Sequence, residues 1–334
     1  MVWIKFLICA AIVVFAGSKL SKYGDAIAEK TSLTGAWVGL LLLATITSMP
    51  ELVTSISAVS VVDVPDLAVG MILGSNLFNL LIIGILDIQY REGPLLSAVK
   101  RQHILSAGFC VLIIAIAGTG ILIGNRVVAL SLGGFDLFSL LLLVSYMISL
   151  RVISGFEQEI EKDFLGEEAQ RLNYSHMSLR RTYLSFAAAS LAIVGASIWL
   201  ATIGDEIADV TGWEASFVGS LFLAVISSLP ELVVCTSALK IGAVDMAIAD
   251  VLGSNMFNTG IIIAASDIFY RKGSILASSS MGLAWAALIA VAMTVIVIMG
   301  VRFSSKHKAL KIASWEVPML IALWVIGAYV LFTS

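Results

Sequence analysis

Two short strings set a carboxylate beside a proline inside long apolar runs: TSMPELV (47–53) and SSLPELV (227–233). Proline has no amide hydrogen, so Pro50 leaves the carbonyl of Ile46 without its helical partner, and Pro230 does the same to Ile226. Free carbonyls are cation ligands, and Glu51 and Glu231 stand next to them. On a helix, Thr47 and Ser48 lie four and three residues before Glu51, on one face with it, and Ser227 and Ser228 stand likewise to Glu231. LGSNLFN (73–79) and LGSNMFN (252–258) add Ser75 with Asn79 and Ser254 with Asn258, each pair at i, i+4. Hydroxyls, amides and two carboxylates make an all-oxygen set. Such sets suit hard cations, and a flexible multi-oxygen cage suits calcium better than magnesium.

The energetics point the same way. An acidic side chain at the centre of a bilayer costs about 3 kcal/mol on insertion scales. No Lys, Arg or His lies at comparable depth to offset Glu51 and Glu231, so a bound cation is the simplest compensation. One calcium, or two monovalent ions, neutralises the pair. The plain structural reading of a lone Ser, Thr or Asn in such a helix is a hydrogen bond to a neighbour. That reading is preferred for Asn76 and Asn255, which point off the Ser75/Asn79 and Ser254/Asn258 face. Asp250 shares a face with Ser254 and Asn258, about 12 Å along the helix from Asn258 at 1.5 Å per residue. It is read as a carboxylate lining a cytoplasmic vestibule, set against the plain alternative of a hydrated Asp near a helix start.

The elements that must hold these groups follow from composition. Of 334 residues, 59% are hydrophobic and 13% charged, which excludes an ordinary soluble domain. A bilayer core needs roughly 20 apolar residues per helix. Ten such segments are legible, about 2–18, 34–59, 66–88, 103–123, 127–150, 183–203, 214–239, 245–268, 277–300 and 313–333. The expected fold is therefore an all-α membrane protein of ten transmembrane helices. The first segment lacks a cleavage site and is expected to be retained. Cys9, Cys110 and Cys235 all fall in apolar segments, so no disulfide is expected. Trp213 and Tyr270, near segment ends, read as interfacial anchors.

The strings recur. TSMPELV meets SSLPELV, and DIQYREG (87–93) meets DIFYRKG (267–273), at an offset of 180, while the LGSN strings meet at 179. Each half holds five helices, an odd number, so the second half enters the membrane from the opposite side. This is an inverted repeat, with discontinuous helices at a central ion site: 1–150 the first five-helix repeat, 151–181 a linker, 182–334 the second repeat. With the N-terminus outside, sixteen Lys and Arg fall on the inner side and four on the outer. The positive-inside rule then makes the linker cytoplasmic and puts both termini outside. Within the linker Phe156, Ile160 and Phe164 recur at helical spacing and suggest a short surface helix.

Other chemistries find no support. His103, His176 and His307 have no metal-ligand partner at short spacing and read as solvated or interfacial. No Gly-x-Ser-Gly, Gly-x-Gly-Asp or His-Glu-x-x-His constellation is present, so no enzyme is read, and no cofactor or nucleic acid is implied. The LGSN strings lack the lysine of a phosphate loop.

The paired TSMPELVTS…LGSNLFN and SSLPELV…LGSNMFN strings resemble the two repeats of the calcium/cation antiporter superfamily, of the microbial sodium/calcium exchanger type. The resemblance spans the whole chain. It implies that the second, third, seventh and eighth helices surround the ions, and that the first and sixth slide to alternate access. By position it carries acidic calcium ligands onto Glu51 and Glu231, and hydroxyl ligands onto Thr47, Ser48, Ser75, Ser227, Ser228 and Ser254. Its amide or acidic position falls on Asn79 and Asn258, and its backbone-carbonyl positions on Ala44 and Ala224. The chain departs from the family in having Ile46 and Ile226 where glycine is usual, Asn258 where an acid is frequent, and Asp250 where Asn is more common. The implied function is antiport of calcium against sodium, in the inner membrane of a prokaryote, with the monomer as working unit. A proton-coupled or other divalent-cation antiporter is the alternative, and a cation channel ranks below both.

Overall fold

The computed structural model describes residues 2–31, 33–127, 136–164, 174, 177–211, 223–303, 307–309 and 312–333. The described residues are almost wholly helical. In chain order the long helices are α1 (Val2–Lys30), α2 (Gly35–Val62), α3 (Pro65–Gln89), α4 (His103–Val127), α5 (Leu137–Phe164) and α6 (Leu179–Thr211). They are followed by α7 (Leu223–Ser227 and Leu229–Lys240), α8 (Val244–Phe269), α9 (Met281–Arg302) and α10 (Glu316–Thr333). Among the described residues nine helices, all but α7, are long and apolar enough to cross a membrane. The protein is an integral membrane protein.

α3 and α8 are the most enclosed helices, and their side chains are almost all buried. Glycine lets their neighbours press in. A Cβ on Gly253 of α8 would lie 2.3 Å from the Leu40 carbonyl oxygen of α2, and one on Gly39 would lie 2.3 Å from the Met246 carbonyl oxygen of α8. α10 leans on α3 where Gly327 faces Leu77, and α4 meets α9 where Gly118 faces Ala287. α1 packs along α6 and α7. A small apolar cluster of Cys9, Val13, Leu200, Ile203 and Ile226 lies between them, with Cys9 Sγ donating to the Ala196 carbonyl at 2.9 Å.

Several segment bounds differ from the sequence reading. α1 was expected to stop near residue 18 but runs to Lys30. Ser18 and Ser21 turn their hydroxyls back onto the carbonyls of Val14 and Gly17, so the polar stretch stays helical. Ser21 also donates to Val234 O at 2.8 Å, which pins that stretch to α7. α5 continues unbroken to Phe164. The residues read as a separate surface helix, Phe156 to Phe164, are therefore its end, their spacing being a continuation of the preceding helix. Residues 128–135 and 212–222, which hold parts of two expected segments, and Trp213 and His176 lie outside the described residues. His103 is a correction. Far from being solvated, it is enclosed with Nε2 3.0 Å from Asp245 Oδ1, because the start of α4 is folded against the start of α8. His307 is exposed, as expected.

Candidate functional site

Both proline-bearing helices break at the same place. Ser48 has φ −86°, ψ 5°, and Ser228 has φ −88°, ψ 9°. This is the bridge region of backbone space, and in each helix the proline sits two residues on. The Ser48 amide donates to Ala44 O at 3.1 Å and the Ser228 amide to Ala224 O at 3.2 Å. The hydroxyls of Thr47 and Ser227 reach the same two carbonyls at 3.3 and 3.2 Å. Each break thus gathers a carbonyl and two hydroxyls one turn from a glutamate, at the level where α2 and α7 cross α3 and α8.

The two halves answer each other across this crossing. Ser48 Oγ donates to Glu231 Oε1 at 3.3 Å, and Ser228 Oγ to Glu51 Oε1 at 3.2 Å. Thr47 lies 3.4 Å from Ser254, and Ser75 lies 3.5 Å from Ser227. The reciprocity extends outward. Leu95 N donates to Asp87 and Ile275 N to Asp267, both at 2.8 Å. Lys100 N donates to Asp245 at 2.9 Å and Ser280 N to Asp66 at 2.6 Å.

Thr47, Ser48, Glu51, Ser75, Asn79, Ser228, Glu231, Asp250, Ser254 and Asn258 are all fully buried, and Ser227 nearly so. The oxygens around the glutamates are long as hydrogen bonds. Glu51 Oε1 accepts from Ser75 at 3.4 Å as well as from Ser228, whereas O–H···O bonds cluster at about 2.7–2.8 Å. The neighbouring Ser55–Ser266 contact, at 2.7 Å, is of that ordinary kind. Oxygens each about 2.4 Å from one calcium and at right angles to each other stand about 3.4 Å apart. Among the described residues the second oxygens, Glu51 Oε2 and Glu231 Oε2, have no hydrogen-bond partner, nor does either side-chain polar atom of Asn258. Orphaned buried polar atoms are costly and call for an occupant. Among the described residues no group of three or more His, Cys, Asp or Glu is placed to hold a metal ion together; the set here is two carboxylates with neutral oxygens, a hard-cation chemistry.

The sequence-level candidates do not all meet. Asn79 turns its amide to Asn255 Oδ1 at 3.0 Å. Asn255 donates to Asn76 O at 3.1 Å, and Asn76 to Thr259 Oγ1 at 2.7 Å. Asn76 and Asn255 thus do hydrogen-bond to neighbours, and they form a polar seam that holds α3 to α8. At Asn258 the chain leaves regular α-helix for a π-helical turn, Asn258–Ile262. Asp250 is enclosed in this conformation rather than lining open water. Its Oδ2 accepts from Cys235 Sγ at 3.2 Å, and its Oδ1 has no partner among the described residues. The role of Cys235 escaped the sequence reading. Its one signal is its place four residues after Glu231, on the same face of α7.

Comparison with known proteins gives the family. The family model described as sodium/calcium exchanger protein matches residues 1–162 and 181–334. The sodium/calcium exchanger MaX1 of Methanosarcina acetivorans is 23% identical, with 99% of each chain covered. The inner membrane protein YrbG of Escherichia coli is 25% identical, with 75% of each covered. Among solved structures, the sodium-calcium exchanger NCX_Mj soaked with sodium and strontium superposes over 98% of each chain with a TM-score of 0.72 at 20% identity, a likeness of fold. With the family model covering nearly the whole length, the chain belongs to the sodium/calcium exchanger protein family.

Proposed function

We propose that the protein is a secondary antiporter exchanging calcium for sodium by alternating access, at a site built on Glu51 and Glu231. The observation that carries this is the reciprocal Ser–Glu arrangement. Two enclosed carboxylates, each with one oxygen unpartnered among the described residues, are ringed by hydroxyls at 3.2–3.4 Å, the spacing of ligands about a common ion. Thr47, Ser48, Ser75, Ser227, Ser228 and Ser254 supply hydroxyls, Ala44 and Ala224 carbonyls, and Asn79 and Asn258 amides. Ten transmembrane helices in two inverted five-helix repeats, joined through 151–181, underlie the arrangement. The paired cross-contacts at offsets of 179 and 180 support that reading. An inverted repeat serves alternating access because each half can take the conformation of the other, with α1 and α6 sliding along the bundle. The charge distribution supports both termini outside, the family resemblance supports the inner membrane of a prokaryote, and no chemical catalysis is assigned.

The test is calcium uptake into proteoliposomes of the full chain under a sodium gradient, a proton gradient, or none. Uptake driven by an opposing sodium gradient is expected. Uptake down the calcium gradient with no cation on the other side would mean a channel. Glu51→Gln and Glu231→Gln should each abolish calcium transport while the protein still folds and inserts, and near-normal uptake by either sinks the site assignment.

A further inference from the structure

The two halves carry a second pair of acids, away from the central glutamates. At an offset of 180, Asp87 matches Asp267 and Glu316 matches Asp136. The match holds in space. Asp87, near the end of α3, and Glu316, at the start of α10, line one small cavity. Asp267, near the end of α8, accepts from the amide of Asp136, just before α5, at 3.2 Å. In the inverted-repeat reading α3 and α8 end at opposite faces of the membrane. In each pair one carboxylate oxygen has no hydrogen-bond partner among the described residues: Glu316 Oε2 and Asp136 Oδ2.

The halves differ in what offsets the charge. Beside Asp87 stands Lys308, its ammonium 3.7 Å from Oδ2. At the same offset the first half has Val128. Among the described residues no basic side chain pairs with Asp136 or Asp267. Arg271 and Lys272 follow Asp267 in the chain, but Arg271 is exposed and Lys272 is paired with Asp63. The start of α5 favours a nearby carboxylate, which answers one charge and not two. Ser139, in the first turn of α5, is fully buried, and its hydroxyl turns to the Asp267 carboxylate without completing a hydrogen bond. Asp267 is enclosed and Asp136 half-buried, so water reaches the pair from the Asp136 side.

We propose that Asp136, Asp267 and Ser139 form a second site for a hard divalent cation, at the membrane face where α8 ends. Two carboxylates balance one divalent ion, and the ligands are all oxygen. Three side chains leave the rest of the coordination shell to water, which the half-buried Asp136 admits. Lys308 is the built-in cation of the matching pair at the other face, and the Asp136–Asp267 pair takes its cation from solution. The site is separate from the central one: Asp267 lies nine residues beyond Asn258, about 13 Å along α8 at 1.5 Å per residue. A partly hydrated site of this kind holds calcium with a dissociation constant on the order of 10⁻⁴–10⁻³ M. The bound ion ties the start of α5 to the end of α8. The inference goes beyond the exchanger reading and does not need it, since binding here requires no ion to cross the membrane.

The test is thermal unfolding of the purified full chain in detergent across a calcium titration. In a chain carrying Glu51→Gln and Glu231→Gln, which removes the central carboxylates, the unfolding temperature should still rise with calcium, at a midpoint on the order of 10⁻⁴–10⁻³ M. Asp136→Asn and Asp267→Asn should each raise that midpoint about tenfold or more, the worth of a contact to a charged group. Glu316→Gln, at the matching place in the other half, should leave it unchanged. The wild-type titration should show two phases, of which Asp136→Asn removes the weaker alone, so the result does not hang on the doubly substituted chain folding. Absence of the weaker phase overturns the proposal. So does a weaker phase that survives either aspartate substitution, which would mean calcium held on surface carboxylates elsewhere, and so does an equal loss in Glu316→Gln. Flux decides the exchanger reading separately: a chain that keeps this site and moves no calcium sinks that reading alone.

Discussion

Gly253→Ala puts the crossing of α2 and α8 to a sharp test. The added methyl would sit 2.3 Å from Leu40 O, 2.8 Å from Leu40 Cα and 2.9 Å from the Ala44 side chain. Comfortable carbon contacts begin at about 3.5 Å, so the helices must part by about 1 Å. Two of the three obstacles are backbone and cannot rotate aside. Overpacking of this kind costs about 1–3 kcal/mol. The displacement also falls on the turn that carries the Ala44 carbonyl and the Thr47 hydroxyl, and calcium–oxygen distances tolerate only about 0.3 Å. Calcium affinity should therefore drop at least tenfold, along with a lower unfolding temperature. The control is Gly195→Ala in α6, where a Cβ would meet nothing within 4 Å. The assay is thermal unfolding of the purified protein in detergent across a calcium titration. If Gly253→Ala unfolds at the same temperature and with the same calcium midpoint as Gly195→Ala, the close approach is not there and the argument from it fails.

Other outcomes follow from the same geometry. Ser48→Ala and Ser228→Ala, being reciprocal, should weaken calcium binding by the same roughly two- to tenfold, matching 0.5–1.5 kcal/mol for one polar contact. Calcium titrations of the two purified variants measure this, and losses that differ severalfold between them would refute the reciprocity. Lys308 lies 3.7 Å from Asp87 Oδ2 and donates to Tyr90 O at 2.8 Å, tying the loop before α10 to the end of α3. Lys308→Met should destabilise the protein by about 1–3 kcal/mol but cost less when Asp87 is already Asn, which thermal unfolding of the four variants measures.

Much of this was legible in the sequence because it depends on order along the chain. The positions of Pro50 and Pro230 fix the helix breaks, since a missing amide hydrogen acts within one turn. Helical spacing put Thr47, Ser48 and Glu51 on one face, and the repeat offset named the matching residues in the second half. Apolar run length gave the spans, and the family resemblance carried the backbone carbonyls. Helix ends were read less well. α1 and α5 run on through polar sequence; in α1 the hydroxyl back-bonds of Ser18 and Ser21 and the packing of Ser21 on α7, not hydropathy, carry the helix on. What only the folded chain settled concerns residues far apart in sequence: Ser48 reaching Glu231, Asn79 reaching Asn255, His103 meeting Asp245, and Lys308 meeting Asp87. Hydropathy cannot tell a carboxylate facing water from one sealed beneath a neighbouring helix. Asp250 looked like a vestibule group from its place near a helix start, yet it is enclosed, because the bare face of Gly39 lets α2 close over it. Enclosure is a property of how helices cross, and pairings between residues some 200 positions apart exist only once those crossings are made.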